Sequence, residues 1–449
     1  MSLLAVLVAT LQAATMTVGP LGMFPTIGQA LAAAAPGDTV RVAAGVYRER
    51  PVIQRPVVLL ADSGAIIDGG GEGTVLSIHA SAVVRGFVIR GSGSNQSRED
   101  AGIIATDAAN LVVEDNRFED ILFGVYVKQC DHPVIRNNVI VGKDLPVPLR
   151  GDGIRLWYSH HGVIEHNVVR HSRDVVIWFT NHTLVRDNRV EHSRYGLHYM
   201  YSDSNAFEAN AFVSNHVGAF IMYSSQITFR DNLFADAQGT TGRGLGFKDS
   251  DRIVAERNVL VKNAAGISID NSPTSVGIVN HFRHNVIAYN DVGVSMLPSV
   301  HSNEFRDNAF VDNVQPVRVT GGGTAMANTW NANYWSEYAG FDADHDGFGD
   351  TPYRFDRLSD DLLARHEPLR LLDLSLAVTT LNMLTRVLPH LQPEALVVDS
   401  SPRRAPTAEL DRTRTAHRTA PAAPAGFTLA GVLALIAVAR LRRGMRCGP

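Results

Sequence analysis

From about residue 100 to 330 one phrase of apolar and polar positions recurs along the chain. An apolar residue, two polar residues, an asparagine and two apolar residues occur in Val113-Glu-Asp-Asn116-Arg-Phe, Ile135-Arg-Asn-Asn138-Val-Ile and Ile164-Glu-His-Asn167-Val-Val. The phrase returns at Asn188, Asn210, Asn232, Asn258, Asn285 and Asn308, and in degenerate form at Asn328, at spacings of 20 to 29 residues. A second phrase, a glycine followed by alternating residues, begins at Gly102, Gly124, Gly153, Gly196, Gly218, Gly266 and Gly293. A period near 22 with strand-like alternation is too short for repeats built of helix pairs. It suits one coil of three short strands joined by tight turns, so the pattern predicts an all-β chain wound as a parallel β-helix. Asparagine is expected at the turn, where it tolerates left-handed geometry, and its amides should pair from rung to rung.

The upstream region joins the same body. Phe24 to Leu31 reads as a short amphipathic helix stopped by Ala35-Pro36-Gly37-Asp38, followed by strand-like pieces from Thr39 onward. A helix there would cap the open end of the coil stack. Roughly a dozen coils at about 4.8 Å per rung give a rod on the order of 60 Å long. The expected organisation is a signal-like segment over 1–14, the solenoid over 15–335, and an Asp/Gly-rich end over 336–365. A helical segment over 366–399, a flexible linker over 400–424 and a hydrophobic segment with a basic tail over 425–446 complete it. The apolar stretch Ala425 to Ala439 is short for a membrane helix, but the arginines after it fit retention on an inner face. Both ends therefore predict export and a membrane tether.

Charge and cysteine content narrow the function. A net charge of -4 over 449 residues offers no whole-protein field for nucleic acid. Two cysteines, Cys130 in the repeats and Cys447 in the tail, exclude a disulfide framework and a paired-cysteine zinc site.

Alignment on the glycines says which side chains stack. The first and third followers should point inward and the second and fourth outward. The fourth followers are Trp157, Trp178 (where Asp174 stands for glycine), Met200, Met222, Lys248 and Asp270, and His198 is a second follower. Met200 and Met222 are then vertical neighbours with His198 on their face. Two thioethers and an imidazole can share one soft ion such as Cu(I), sheltered by Trp178. The same residues also suit apolar filler or a protein-binding patch whose wall includes Trp157, Trp178, Lys248 and Asp270. His161 and His182, like His171 and His192, are 21 residues apart and read as stacked, solvent-facing turn residues. After the last coil, Asp342, Asp344, Asp346 and Gly347 reproduce the first half of an EF-hand calcium loop. Tyr353 stands at the twelfth position in place of glutamate, so Asp350 is the expected late ligand of a structural calcium clip.

Several strings are more specific than the coil itself. Gly153-Ile-Arg-Leu-Trp-Tyr-Ser, Arg173-Asp-Val-Val-Ile-Trp178, Arg194-Tyr-Gly-Leu-His-Tyr-Met-Tyr-Ser202 and Ala219-Phe-Ile-Met-Tyr-Ser224 are four of them. Gly244-Leu-Gly-Phe-Lys-Asp249, Gly266-Ile-Ser-Ile-Asp-Asn-Ser-Pro273 and the run from Asn333 to Tyr353 are others. On these residues the chain from about 24 to 398 resembles the NosD family of nitrous oxide reductase maturation proteins. The resemblance implies a right-handed, periplasmic β-helix without established catalytic residues, docking on an ABC transporter built from an ATPase and a membrane subunit. It further implies service to the copper–sulfur cluster of nitrous oxide reductase, with a copper chaperone as another partner. It places His198, Met200 and Met222 inside signature strings. The competing readings are a polysaccharide lyase, hydrolase or epimerase, which needs positioned carboxylates such as Asp174, Asp249 and Asp270 on one groove, and a surface scaffold.

Overall fold

The computed structural model describes residues 13–356, 359, 372, 375–388 and 394–406. Short strands of two to six residues, separated by single left-handed residues, wind the chain into three parallel sheets. The first face runs over 14 strands from Thr15–Val18 to Thr329–Asn331. The second face has 12 strands, from Val52–Ile53 to Gln315–Val319, and the third 13, from Gly45–Tyr47 to Tyr334–Trp335. The stack is about 14 coils high, slightly more than the repeat count suggested, because the first coils carry too few asparagines to be recognised.

Every third strand pairs with its counterpart one coil on, as Ile154↔Val175 and Leu245↔Ile267 do. Inward residues alternate with outward ones, so one continuous core fills the tube with valine, isoleucine and stacked aromatics. Phe282, Phe305 and Trp330 stack at 4.8 and 4.2 Å, and Phe310, Trp335 and Tyr353 at 4.2 and 4.4 Å. At the N-terminal end the helix Ile27–Ala33, capped by the Thr26 side chain, buries Ile27, Ala30 and Leu31 against the first coils.

The asparagines do more than turn the chain. Ten of them, from Asn116 to Asn333, are buried and stacked, and each backbone N–H donates to the side-chain Oδ1 of the next at 2.9–3.0 Å. Their Nδ2 groups donate both to that same oxygen and to a carbonyl of the coil before, as Asn138 does to Asn167 and to the Val113 carbonyl. The left-handed residue is the one before each asparagine (Asp115, Asn137, His166, Asp187), not the asparagine itself as expected. Turning one residue early swings the amide inward, where the backbone of two coils needs it. Asn328, expected as the last copy, belongs to a parallel ladder with Asn280 and Asn303, and Asn333 continues the main one.

The ladder ends on a carboxylate. Asp399, from the strand Val397–Asp399 that pairs antiparallel with Tyr353–Phe355, accepts from the backbone N–H groups of Ala332 and Asn333, from Asn333 Nδ2 and from Trp335 Nε1. An acceptor-only group suits the last rung, where there is no further coil to receive a donor. The span 366–399 thus holds the helix Leu376–Val387 and then a strand. Residues 400–404 are not the start of a free linker. Arg403 forms bridges with Tyr334 and Phe348 and its Nε lies 2.9 Å from Asp307 Oδ1, so the chain is strapped across the coil end. Among the described residues no helix is long and apolar enough to cross a membrane. The signal-like segment up to residue 12 and the apolar tail from 425 lie outside them.

Replacing Asp399 by alanine should leave four buried donors without an acceptor, at about 1–3 kcal/mol for each that water does not reach. The expected result is fraying of the last coils, read as faster proteolysis near residue 330 and loss of the Trp330 and Trp335 fluorescence signature before the global transition.

Candidate functional site

The candidate residues of the Trp/Met column lie on the second face, and their register follows from the coil. Lys128, Trp157, Trp178, Met200, Met222, Lys248 and Asp270 pair successively, one per rung, and all are half-buried on the outer side. Met200 and Met222 are therefore neighbours about 4.8 Å apart along the axis. His198 lies two residues before Met200 on the same strand, Tyr195–Met200, and on the same side.

Around this column the aromatic groups close in. Trp157 and Trp178 contact each other at 5.6 Å, and Trp178 meets the His198 ring edge-on at 5.0 Å. Tyr195 stacks on the other side of that ring at 4.9 Å. Phe220, one rung above His198, packs against Gly246, where a Cβ would come within 2.2 Å of its ring. Gly246 departs from the bulky second-follower pattern for that reason.

Below the Met and His residues sits a partly buried chain of alternating charges, centred on the buried Asp152 and Asp174, that the repeat pattern does not reveal. Arg155 packs its guanidinium 4.7 Å from the Tyr126 ring and 5.3 Å from both Trp157 and Trp178, and reaches Glu99 and Asp152 at 3.6 Å. Arg173 pairs with Asp152 at 3.0 Å. Asp174 is 1% exposed and takes hydrogen bonds from Arg194 Nε at 3.0 Å and from His198 Nδ1 at 3.2 Å. Burial opposes its charge, but the bonds from His198 and Arg194 outweigh that and hold its carboxyl below the ordinary range. Asp152 behaves oppositely: burial, reinforced by the neighbouring Asp174 charge and opposed by Arg173 and Arg155, pushes it up to about 6.

One residue beyond the Trp/Met column a second column went unread in the sequence. Tyr158, Phe179, Tyr201 and Tyr223 stack at 4.7, 5.2 and 5.0 Å along the turn, each with a left-handed backbone. A bulky side chain there costs about 1–2 kcal/mol per residue, which ring stacking at about 0.5–1.5 kcal/mol offsets only in part. Four such residues in succession mark a constrained edge of the site. Extending the glycine alignment by one position would have found them. The rings cover one another's faces, so the edge presents ring rims and hydroxyls rather than open stacking platforms.

The other candidates fall as follows. His132, His161 and His182 stack at 5.1 and 5.0 Å, and His171 and His192 at 5.5 Å, all exposed and left-handed at the turns. Cys130 is buried at the foot of a column that continues through Ser159 and Thr180 on successive coils, its sulfur accepting from the Ala108 N–H, and burial raises its thiol to about 11. Asp174 lies three rungs from Asp249, about 14 Å along the axis, well beyond the ~5–9.5 Å that separates paired carboxylates in glycosidases. At the coil end, Asp342, Asp344 and Asp346 each bring an oxygen within 4.8 Å of the others. Asp342 Oδ1 is buried without a hydrogen-bond partner. Asp350 is not in that group; its carboxylate accepts from the Ala343 N–H at 2.7 Å and closes the loop base. Tyr353 is spent in the core, stacked on Trp335.

Comparison with known proteins returns the same region. A family model described as Periplasmic copper-binding protein (NosD) matches residues 137–340, and one described as Right handed beta helix region matches 59–183. The first match contains Trp157, Trp178, His198, Met200, Met222, Lys248 and Asp270 and stops short of the acidic loop. A Pseudomonas aeruginosa protein named Probable ABC transporter binding protein NosD is 29% identical over 436 residues, covering 87% of this chain and 96% of that one. A protein of the same name from Stutzerimonas stutzeri is 29% identical over 396 residues, covering 81% and 86%. The A-module of the Azotobacter vinelandii mannuronan C-5 epimerase AlgE6 superposes with a TM-score of 0.54 at 16% identity, over 68% of this chain and 92% of that one. At that identity the likeness is one of fold alone.

Asp152 gives a test of the buried charges. Its folded pKa, about 6, exceeds the ordinary carboxylate value, so its contribution to stability is greatest below about pH 4 and is lost as pH rises through 6. Denaturant midpoints should show Asp152→Asn gaining on the wild type between about pH 4 and pH 6, by on the order of 3 kcal/mol or less, and holding that gain at higher pH. A gain of the opposite sign contradicts the burial argument.

Proposed function

The chain resembles the NosD family over most of its length, and from that premise we propose that it is a periplasmic accessory protein, not an enzyme, that binds copper and serves an ABC transporter. The observation that carries the copper part is the vertical pairing of Met200 with Met222 on the face that also holds His198. Thioether sulfur and neutral imidazole are ligands that suit Cu(I), and two methionines held one rung apart need little reordering to bind it. Trp157 and Trp178 wall the column on one side and Phe220 flanks it on the other, restricting water and oxygen. Neutral ligands give a cuprous ion no charge compensation, so the site suits cargo that is to be passed on.

The finer role is maturation of nitrous oxide reductase. In this reading the protein takes copper from a chaperone and works with the transporter's ATPase and membrane subunits in assembling the copper–sulfur cluster. The aromatic edge from Tyr158 to Tyr223, with Lys248 and Asp270 at its far end, gives such partners an amphipathic surface beside the metal column. The tail from 425, with its arginines, tethers the rod at the outer face of the membrane. The two-carboxylate requirement of a β-helix hydrolase finds no support at Asp174, which Arg194 and His198 already occupy.

Purified protein should bind Cu(I) in competition with a chromophoric chelator, and the Met200→Leu/Met222→Leu double variant should bind at least about tenfold more weakly. Leucine nearly conserves volume, so the fold should survive. Unchanged affinity in the variant contradicts the site.

At the coil end we infer a structural calcium ion held by Asp342, Asp344 and Asp346, which supplies the missing partner of Asp342 Oδ1. The loop is bonded to the C-terminal strap, with Gly349 N–H donating to the Pro402 carbonyl and Arg404 N–H to that of Gly347. Calcium should therefore raise the unfolding temperature and slow cleavage between residues 340 and 405. Asp342→Asn should abolish both effects.

A further inference from the structure

The inference rests on the copper reading and concerns how His198 is made ready for it. A neutral imidazole offers a lone pair from one nitrogen and a proton from the other, so a histidine ligand works only in one tautomer. Here the surroundings select it. Asp174 stands where the coil before it has Gly153, and it opens the strand Asp174–Trp178. The pairing of this strand with the next shifts register between Asp174 and Val176, opposite Tyr195 and His198. Such an irregularity re-aims side chains, and it brings a carboxylate from one coil under an imidazole of the next.

The carboxylate is tied on its other sides. Arg194 donates to both of its oxygens and the Tyr195 N–H donates to Oδ1 at 3.2 Å. A carboxylate held by a guanidinium has only acceptor sites left, so the nitrogen 3.2 Å from Oδ2, His198 Nδ1, must carry the proton. Rotation of the ring is restricted by Tyr195, stacked at 20°, and by Trp178, edge-on at 85°. We propose that Asp174 is a positioning residue that fixes His198 as the Nδ1–H tautomer and so leaves Nε2 as the nitrogen donor to the soft metal held with Met200 and Met222. Carboxylates that orient metal-binding histidines in this way act through ring orientation and basicity without touching the metal. The coil before it has Gly153 at this position, so the winding itself does not call for an acid, and the buried carboxylate is explained by what it holds.

The test begins without any variant. In 15N-histidine-labelled apoprotein, His198 should show a protonated Nδ1 and an unprotonated Nε2. Its signals are assigned by their loss in His198→Gln. In Asp174→Asn, Arg194 should take the amide oxygen and turn the NH2 toward Nδ1, which moves the proton to Nε2. Cu(I) affinity should then fall by about 10–100-fold, with the β-sheet circular dichroism retained. Asp174→Ala, which leaves the ring free to take either tautomer, should lose less. A proton on Nε2 in the wild type overturns the proposal whatever the copper result. So does a folded Asp174→Asn protein with wild-type affinity when the Met200/Met222 double variant is weakened. If the double variant binds copper normally, the site itself is wrong and the positioning role falls with it.

Discussion

The hydrogen bond from one asparagine to the next coil's asparagine determines everything else in this molecule. Hydrophobic burial alone would allow neighbouring coils to slip by two residues and keep the same faces inside. The buried amide does not permit this: a slip leaves its Oδ1 and Nδ2 without partners in an apolar tube, at a cost of several kcal/mol over successive rungs. Ten stacked amides closed by the Asp399 carboxylate thus lock the register from the fifth coil to the last. Because the register is locked, side chains about 22 positions apart become fixed neighbours, and a surface column can be built by repetition.

The column on the second face is such a construction. Each rung contributes one outward residue, and the sequence of types changes from Trp to Met to Lys and Asp along the axis. The inner positions at the same rungs remain conventional core, so the face is varied without disturbing the tube. The departures from pattern cluster there: Asp174 in place of glycine, a register shift opposite His198, a glycine under Phe220, and four aromatic residues in left-handed turns. Each one costs stability locally, and the ladder beneath makes the cost tolerable. The acidic loop and strap at the coil end serve a separate purpose, covering the open edge of the stack.

The fold, the vertical pairing of Met200 with Met222 and the histidine stacks were legible because they depend on periodicity alone. The main ladder's last rung was misread, since Asn328 fits the local phrase while Asn333 fits the register. The left-handed residue was placed one position late, because both the asparagine and its predecessor are polar and the pattern does not separate them. The partly buried network of Asp152, Arg173, Asp174 and Arg194 was invisible for a different reason. Its members come from strand starts on consecutive coils and read in sequence as solvated charges. Their burial depends on how the second face folds its long side chains over itself, which no periodicity records. The strap at 397–404 was hidden in the same way, because a Pro- and Arg-rich stretch gives no sign that Asp307 and the ladder's end await it.

The most direct examination of the central claim is a diffraction map of copper-soaked crystals, collected on both sides of the copper absorption edge. The account predicts one anomalous peak on the second face, bounded by the sulfur atoms of Met200 and Met222 and by Nε2 of His198. A peak at the stacked turn histidines or in the acidic loop, with none at this column, would contradict it.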